Sequence, residues 1–308
     1  MDTNASSAVA LAATFLSRGL AQNAVDLLKR ALADEPDNAT AHALLGHALV
    51  AQRRTHAGLF EARLSVELEP ENPVCHGALA SAYVARRRLD RAREHAEKAI
   101  ELAPDRADAQ VQLAEIELLA DRPKQALEAA ERARALQPDD PDVLASFGRC
   151  QLANGDERGA EQSAREALEA FPEHADALVL MGRVLLHRGD TQGAREHAIW
   201  VLHTSPDHQG AVSLLIGAKM RESIFLGLWW RYASWMSLQP TKGMAILVGA
   251  YMLQRVVSTW AGLEQHQMTQ QWVSLAWLGI CIYSWVSPAI YARALAKELD
   301  KVKLREDF

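Results

Sequence analysis

The sequence predicts an all-α chain: a solenoid of stacked helical hairpins, followed by an amphipathic helix and a pair of long apolar helices. Three observations predict it. Seven of the 11 prolines (Pro36, Pro70, Pro104, Pro138, Pro172, Pro206 and Pro240) stand 34 residues apart. A fixed period of this length marks an array of one supersecondary unit, in which no loop has gained or lost a residue. Small residues recur in the same phase. The third observation is a change of composition: of eight Trp only Trp200 lies before residue 229, and four of the five Tyr fall in the last quarter.

The elements follow in order. The opening stretch MDTNASSAVALAATFLSRGL carries Asp2 where a secretory signal carries a basic residue, and its apolar run is in phase with the later units. It therefore reads as the first helix of the array. Ending each unit two residues after its proline gives six units over 5–208: 5–38, 39–72, 73–106, 107–140, 141–174 and 175–208. Twelve residues before each proline stand Ala24, Gly58, Ala92, Ala126, Ala160 and Ala194; twenty-four before it stand Ala12, Gly46, Ala80, Ala114, Gly148 and Gly182. Small residues at fixed helical positions let two antiparallel helices approach closely. Gly19, Gly155 and Gly189 share one turn position, suited to the left-handed conformation that ends a helix. Arg53, Arg87 and Asp121 replace them in the middle units, predicting looser packing there.

This pattern resembles the tetratricopeptide repeat (TPR) family in its small-residue positions, its proline and its length, over about 5–208. The resemblance implies a superhelical solenoid of helix-turn-helix repeats. It also implies a concave groove lined by the first helix of each unit, chiefly at the second, fifth, ninth, twelfth and thirteenth positions. Carried onto this chain, the ninth positions are Ala13, His47, Ser81, Glu115, Arg149 and Arg183. The twelfth are Leu16, Val50, Val84, Leu118, Leu152 and Leu186, an apolar column. The partner-binding residues expected are His47, Glu115, Leu118, Arg149, Leu152, Arg183 and Leu186, with Arg149 and Arg183 as a positive patch. The leucine column has two roles open to it, ligand contact and packing between repeats. The fifth positions, all small or apolar, lack the Lys with which chaperone-clamping members of the family hold a terminal carboxylate. That partner class is not expected.

Residues 209–242 form a degenerate seventh unit. Its first helix keeps the pattern and can cap the array; in its second, the small positions have become Leu228 and Trp235. Ile224, Phe225, Leu228, Trp229, Tyr232, Trp235 and Met236 share one face. Trp229, Trp230 and Trp235 are expected at a membrane interface, where such rings are favoured; the alternative is a stripe packed under the last repeat. Two 21-residue apolar runs follow, 243–263 and 272–292. Each is long enough, at ~1.5 Å per residue, to cross a ~30 Å hydrocarbon core. The loop 264–271 holds no Lys or Arg, whereas Arg231 and Lys242 precede the hairpin and the tail 293–308 carries five basic residues. By the positive-inside tendency both flanks are cytoplasmic and the loop is external. Gln254 and Arg255 share a polar face of the first run; the Arg either meets a partner helix or snorkels to the interface.

Chemistry is not legible. The sequence has no phosphate-binding or dinucleotide glycine loop, no HExxH and no CxxC. Its three cysteines, Cys75, Cys150 and Cys281, read as reduced thiols. Residues 224–308 hold eight Lys/Arg against five Asp/Glu, leaving 25 against 34 in residues 1–223. An acidic array of this kind excludes nucleic acid as a natural partner. His42 and His76 hold one position in adjacent units and invite a metal pair, but zinc needs more ligands. The expectation is therefore a protein without enzymatic activity, cofactor or metal, an integral protein of a bacterial inner membrane with its TPR domain cytoplasmic. It would bind protein or peptide ligands in its groove and recruit them to the bilayer as a scaffold. Alternatively, it would be a regulatory or structural subunit of a channel, transporter or envelope assembly complex, with homo-oligomerisation through the hairpin.

Overall fold

The computed structural model describes residues 2–222 except 207, with isolated positions beyond (251, 252, 255, 256, 259 and 275); side chains are described from residue 7. Among the described residues there are thirteen α-helices and no strand. They are α1 Asp2–Ser17, α2 Ala21–Asp34, α3 Ala39–Ala51, α4 Thr55–Leu68, α5 Pro73–Ala85, α6 Leu89–Leu102 and α7 Ala107–Leu119. Then come α8 Pro123–Leu136, α9 Pro141–Ala153, α10 Glu157–Ala170, α11 Ala175–His187, α12 Thr191–Thr204 and α13 Gln209–Glu222. The chain divides into two compact units, residues 1–180 and 181–308.

In the first unit every odd-numbered helix packs on the even-numbered helix that follows it. The lattice proline lies in the short break after each even helix, where a ring without an N–H ends the helix at no loss of a hydrogen bond. Capping restarts the chain. Asn38 Oδ1 accepts from Ala41 N at 2.9 Å, Asn72 Oδ1 from Val74 N at 2.9 Å, and Asp140 Oδ1 from Val143 N at 3.1 Å. Pro73 and Pro141 stand in the first turn of α5 and α9, where their fixed φ suits a helix start.

The turn inside each pair is uniform. Arg53, Arg87 and Asp121 take φ of 64°, 57° and 59°, beside 74° and 86° at Gly19 and Gly155. The looser central turns expected from these substitutions do not occur. Each turn closes with the same backbone bond spanning five residues. Leu20 N meets Phe15 O at 2.8 Å, and Arg54 N meets Leu49 O at 2.9 Å. Arg88 N meets Tyr83 O at 3.0 Å, Arg122 N meets Glu117 O at 2.9 Å and Asp156 N meets Gln151 O at 2.9 Å. This closure satisfies the last carbonyls of the odd helix and holds the non-glycine residues in the left-handed region.

The core follows the small-residue ladder. Ala24, Ala92, Ala126 and Ala160 are wholly buried, and larger side chains such as Leu28, Ile116 and Phe147 fill the space beside them. Gly46 and Gly58 face each other so closely that a Cβ on Gly58 would stand 2.8 Å from the Gly46 carbonyl oxygen. A buried carboxylate interrupts this apolar interior: Glu117, 1% exposed, accepts from Arg93 Nε at 2.5 Å, with Arg122 Nη1 at 3.7 Å.

The two repeated histidines have structural roles. Nε2 of His42 lies 2.8 Å from Pro36 O, and Nε2 of His76 lies 2.9 Å from Pro70 O. A carbonyl only accepts, so both nitrogens carry hydrogen. The other nitrogens meet Glu61 Oε2 at 2.6 Å and His95 Nδ1 at 3.0 Å. Each histidine therefore ties its own unit to the preceding proline instead of joining the other to hold a metal.

In the second unit, Gly189 has φ 90° and Asp190 N meets Leu185 O at 3.0 Å. The Asp190 side chain caps α12 through Gly193 N at 2.8 Å. α13 packs on α12, with Leu214, Leu215 and Ala218 buried. Among the described residues no helix is long and apolar enough to cross a membrane. The expected helices at 243–263 and 272–292, and the interfacial tryptophans Trp229, Trp230 and Trp235, lie outside the described residues.

Candidate protein-binding cleft

The odd helices α3, α5 and α7 line a cleft of about 400 Å³ in the first unit. Fifth and ninth positions of three successive units form its walls: Ala43, Gly77 and Val111, then His47, Ser81 and Glu115. One sixth-position side chain spans it. Gln112 Nε2 donates to Gly77 O at 2.9 Å and to Ser81 Oγ at 2.8 Å, joining α7 to α5. Nothing in the sequence marked Gln112, because a mid-helix glutamine ordinarily reads as a solvated residue.

His47 opens into the cleft, and the surrounding protein displaces enough water to push its pKa below the ordinary value. Glu115 stands at the margin and is half-exposed. It accepts from Arg149 Nη2 at 2.7 Å. Burial opposes the Arg149 charge, but Glu115 and Asp176 outweigh it and raise the arginine's pKa. The positive charge expected at Arg149 is therefore paired with Glu115, which holds the same ninth position one repeat earlier. Arg149 Nε is also buried without a hydrogen-bond partner.

Leu118 is half-buried and packs against the core between α5 and α8; Leu152 is likewise half-buried. Of the two roles open to the apolar column, inter-repeat packing is the one visible at Leu118. In the second unit, Arg183 Nη2 donates to Ser213 Oγ at 3.4 Å. Leu186 borders Gly217, and its carbonyl accepts from Arg221. Gln254 lies outside the described residues. Arg255 is a helical residue whose carbonyl accepts from Thr259 Oγ1 at 2.8 Å.

The cleft offers recognition and little reactivity. Cys75 and Cys150 are buried thiols, and burial pushes Cys150 up to about 12, which removes it as a nucleophile near neutrality. Among the described residues no group of three or more His, Cys, Asp or Glu is placed to hold a metal ion.

Thirteen helices on a 34-residue period, with a cleft on the odd-helix side, define a TPR-like helical solenoid. Comparison with known proteins supports the tetratricopeptide repeat family. A tetratricopeptide repeat model matches residues 84–150, and the model for the middle TPR-like domain of cilia and flagella-associated protein 70 matches residues 124–234. Neither reaches the apolar runs at 243–263 and 272–292. Among solved structures, a thermophilic TPR protein of Thermus thermophilus is 22% identical, with a TM-score of 0.55 over 59% of this chain and 99% of its own. The APC/C hetero-tetramer Cut9–Hcn1 is 16% identical, with a TM-score of 0.61 over 91% of this chain and 55% of that one. YrrB, described as a TPR protein with an unusual peptide-binding site, is 22% identical over 60% of this chain and 96% of its own, with a TM-score of 0.40. No characterised protein sequence matches the chain significantly.

Proposed function

We propose that the chain is a non-enzymatic scaffold that holds a peptide-binding TPR groove at a membrane and recruits partner proteins to it. The observation that carries the binding half is the cleft bounded by Ala43, Gly77 and Val111 at its small-residue positions and by His47, Ser81 and Glu115 at its polar ones. Small side chains on consecutive helices leave room for a bound backbone. The Gln112 amide, already bridging two helices, offers hydrogen bonds to a peptide that displaces it. The ligand that suits this surface is a peptide with small or apolar anchors and polar flanks.

The membrane half rests on sequence. Residues 243–263 and 272–292 form two apolar runs joined by EQHQMTQQ, a loop with no Lys or Arg. In this reading the runs span a bacterial inner membrane as a hairpin, with the repeats on the cytoplasmic side. Two experiments test the halves separately. Crosslinking from membranes should capture partners with the wild type and lose them with His47→Glu combined with Gln112→Glu; equal capture would remove the groove assignment. Protease added outside spheroplasts should spare the repeats, and their digestion would reverse the topology.

A further inference from the structure

A second cleft, of about 750 Å³, lies between α4 and the α5–α6 turn. Arg63, Arg86, Arg88 and Arg91 surround it, with Glu67 as its one lining carboxylate and Leu59, Val66 and Leu79 at its base. All four arginines are exposed. Arg91 donates to Glu94 at 2.8 Å, but the other three meet no carboxylate among the described residues. Arg86 Nη1 lies 3.0 Å from His56 Nδ1. Arg63 donates to the Tyr83 hydroxyl at 3.2 Å and stands 5.8 Å from the centre of its ring. Beside this arginine, Phe60 is 66% exposed. It sits three residues before Arg63 and seven before Glu67, and so on the same side of α4.

We propose that this cleft is a second docking site, taking an acidic peptide segment of a partner protein that also presents a large apolar side chain to Phe60 and Tyr83. Residues 1–223 carry nine more acidic than basic residues, yet four guanidinium groups converge here around one carboxylate. A cleft with a clear excess of one sign of charge focuses its field and attracts the opposite sign. The planar guanidinium fork pairs with carboxylates in bidentate fashion, and arginine and aromatic residues together are the commonest anchors of protein interfaces. Inorganic phosphate leaves the exposed Phe60 unused. Nucleic acid meets repulsion from the acidic surface around the cleft.

The site is separate from the odd-helix cleft and goes beyond the groove reading. Ser81 lines the first cleft and Tyr83 the second, and two residues along α5 place them about 200° apart. Both sites can therefore be filled at once.

Selection of a displayed library of random dodecapeptides on the full chain, followed by fluorescence anisotropy of the recovered peptides, tests the proposal. The expected peptides carry several Asp or Glu and an aromatic residue or Leu, and their affinity falls as salt rises. Arg63→Glu with Arg88→Glu should weaken them at least about tenfold, since each charge-assisted bond contributes enough for that change. The exposed pair Arg88→Ala with Arg91→Ala should weaken them without shifting the melting curve, while Gln112→Glu in the other cleft leaves them unaffected. The proposal is overturned by peptides without acidic bias, by undiminished binding to the Arg63/Arg88 variant, or by loss on Gln112→Glu. It is equally overturned if phosphatidylglycerol vesicles or inorganic phosphate, and no peptide, bind in an Arg63- and Arg88-dependent way.

Discussion

Glycine-to-alanine exchange at Gly58 and Gly77 should move stability in opposite directions. Both glycines lie inside helices, where alanine is favoured by about 1 kcal/mol. The other units hold alanine at the position of Gly58, so repeat regularity alone predicts a gain there. Geometry predicts a loss. A Cβ on Gly58 would stand 2.8 Å from the Gly46 carbonyl oxygen and 2.7 Å from Val50 Cγ2, and the carbonyl belongs to the backbone of the facing helix. The repeat 39–72 has glycine on both sides of this contact, and its helices have closed into the space. Because backbone must move, forcing them apart costs about 2–3 kcal/mol, the upper part of the overpacking range, leaving a net loss of about 1–2 kcal/mol after the helix-propensity gain. At Gly77 the added methyl meets only Gln112 Oε1 at 3.5 Å, an ordinary contact, so the gain of about 0.5–1 kcal/mol should appear. Melting followed by far-ultraviolet circular dichroism reads both, at about 2–4 °C per kcal/mol for an array of this size. A Gly58→Ala protein as stable as the wild type would refute the close-approach reasoning.

Arg53 occupies the left-handed region at φ 64°, so Arg53→Gly should relieve strain and raise the melting midpoint; a lowered midpoint would show that the arginine side chain supplies a compensating contact. Arg93→Ala strands the buried Glu117 carboxylate, with only Arg122 near it, and should cost about 3 kcal/mol in urea denaturation. Burial, and then the neighbouring His76, hold the His95 pKa below 6.5, so the unfolded chain binds more protons there. Stability from this group is complete above pH 6.5 and is lost as pH falls from that value through the folded pKa. His95→Gln keeps a donor for His76 without titrating, and it should lose less stability than the wild type between about pH 7.5 and about 5.5. Equal losses would place the titration elsewhere.

The all-α solenoid was legible because its signals are periodic. Proline at one phase and alanine or glycine at two others repeat six times, and no tertiary contact is needed to read them. What the sequence hid were pairings between units. Glu115 and Arg149 are 34 residues apart and occupy the same repeat position, so neighbouring copies of that position touch. Each was legible as a groove residue; their mutual neutralisation was not. The turn residues misled for another reason. Arg53, Arg87 and Asp121 lack the glycine preference for positive φ, yet the five-residue closing bond overrides it. The arginine cleft escaped notice because its members come from α4, the α5–α6 turn and α6, which follow different phases of the repeat.

Five turns closed by the same bond give the helix pairs of residues 1–180 no weak turn within them. A hinge needs one place where the backbone yields before its neighbours, and none of these five turns is that place. Tension or a ligand's pull would instead be taken up by small rotations between successive helix pairs, whose packing on one another differs along the array. Work done on one pair is then returned when the load is released, not dissipated in a rearranged loop.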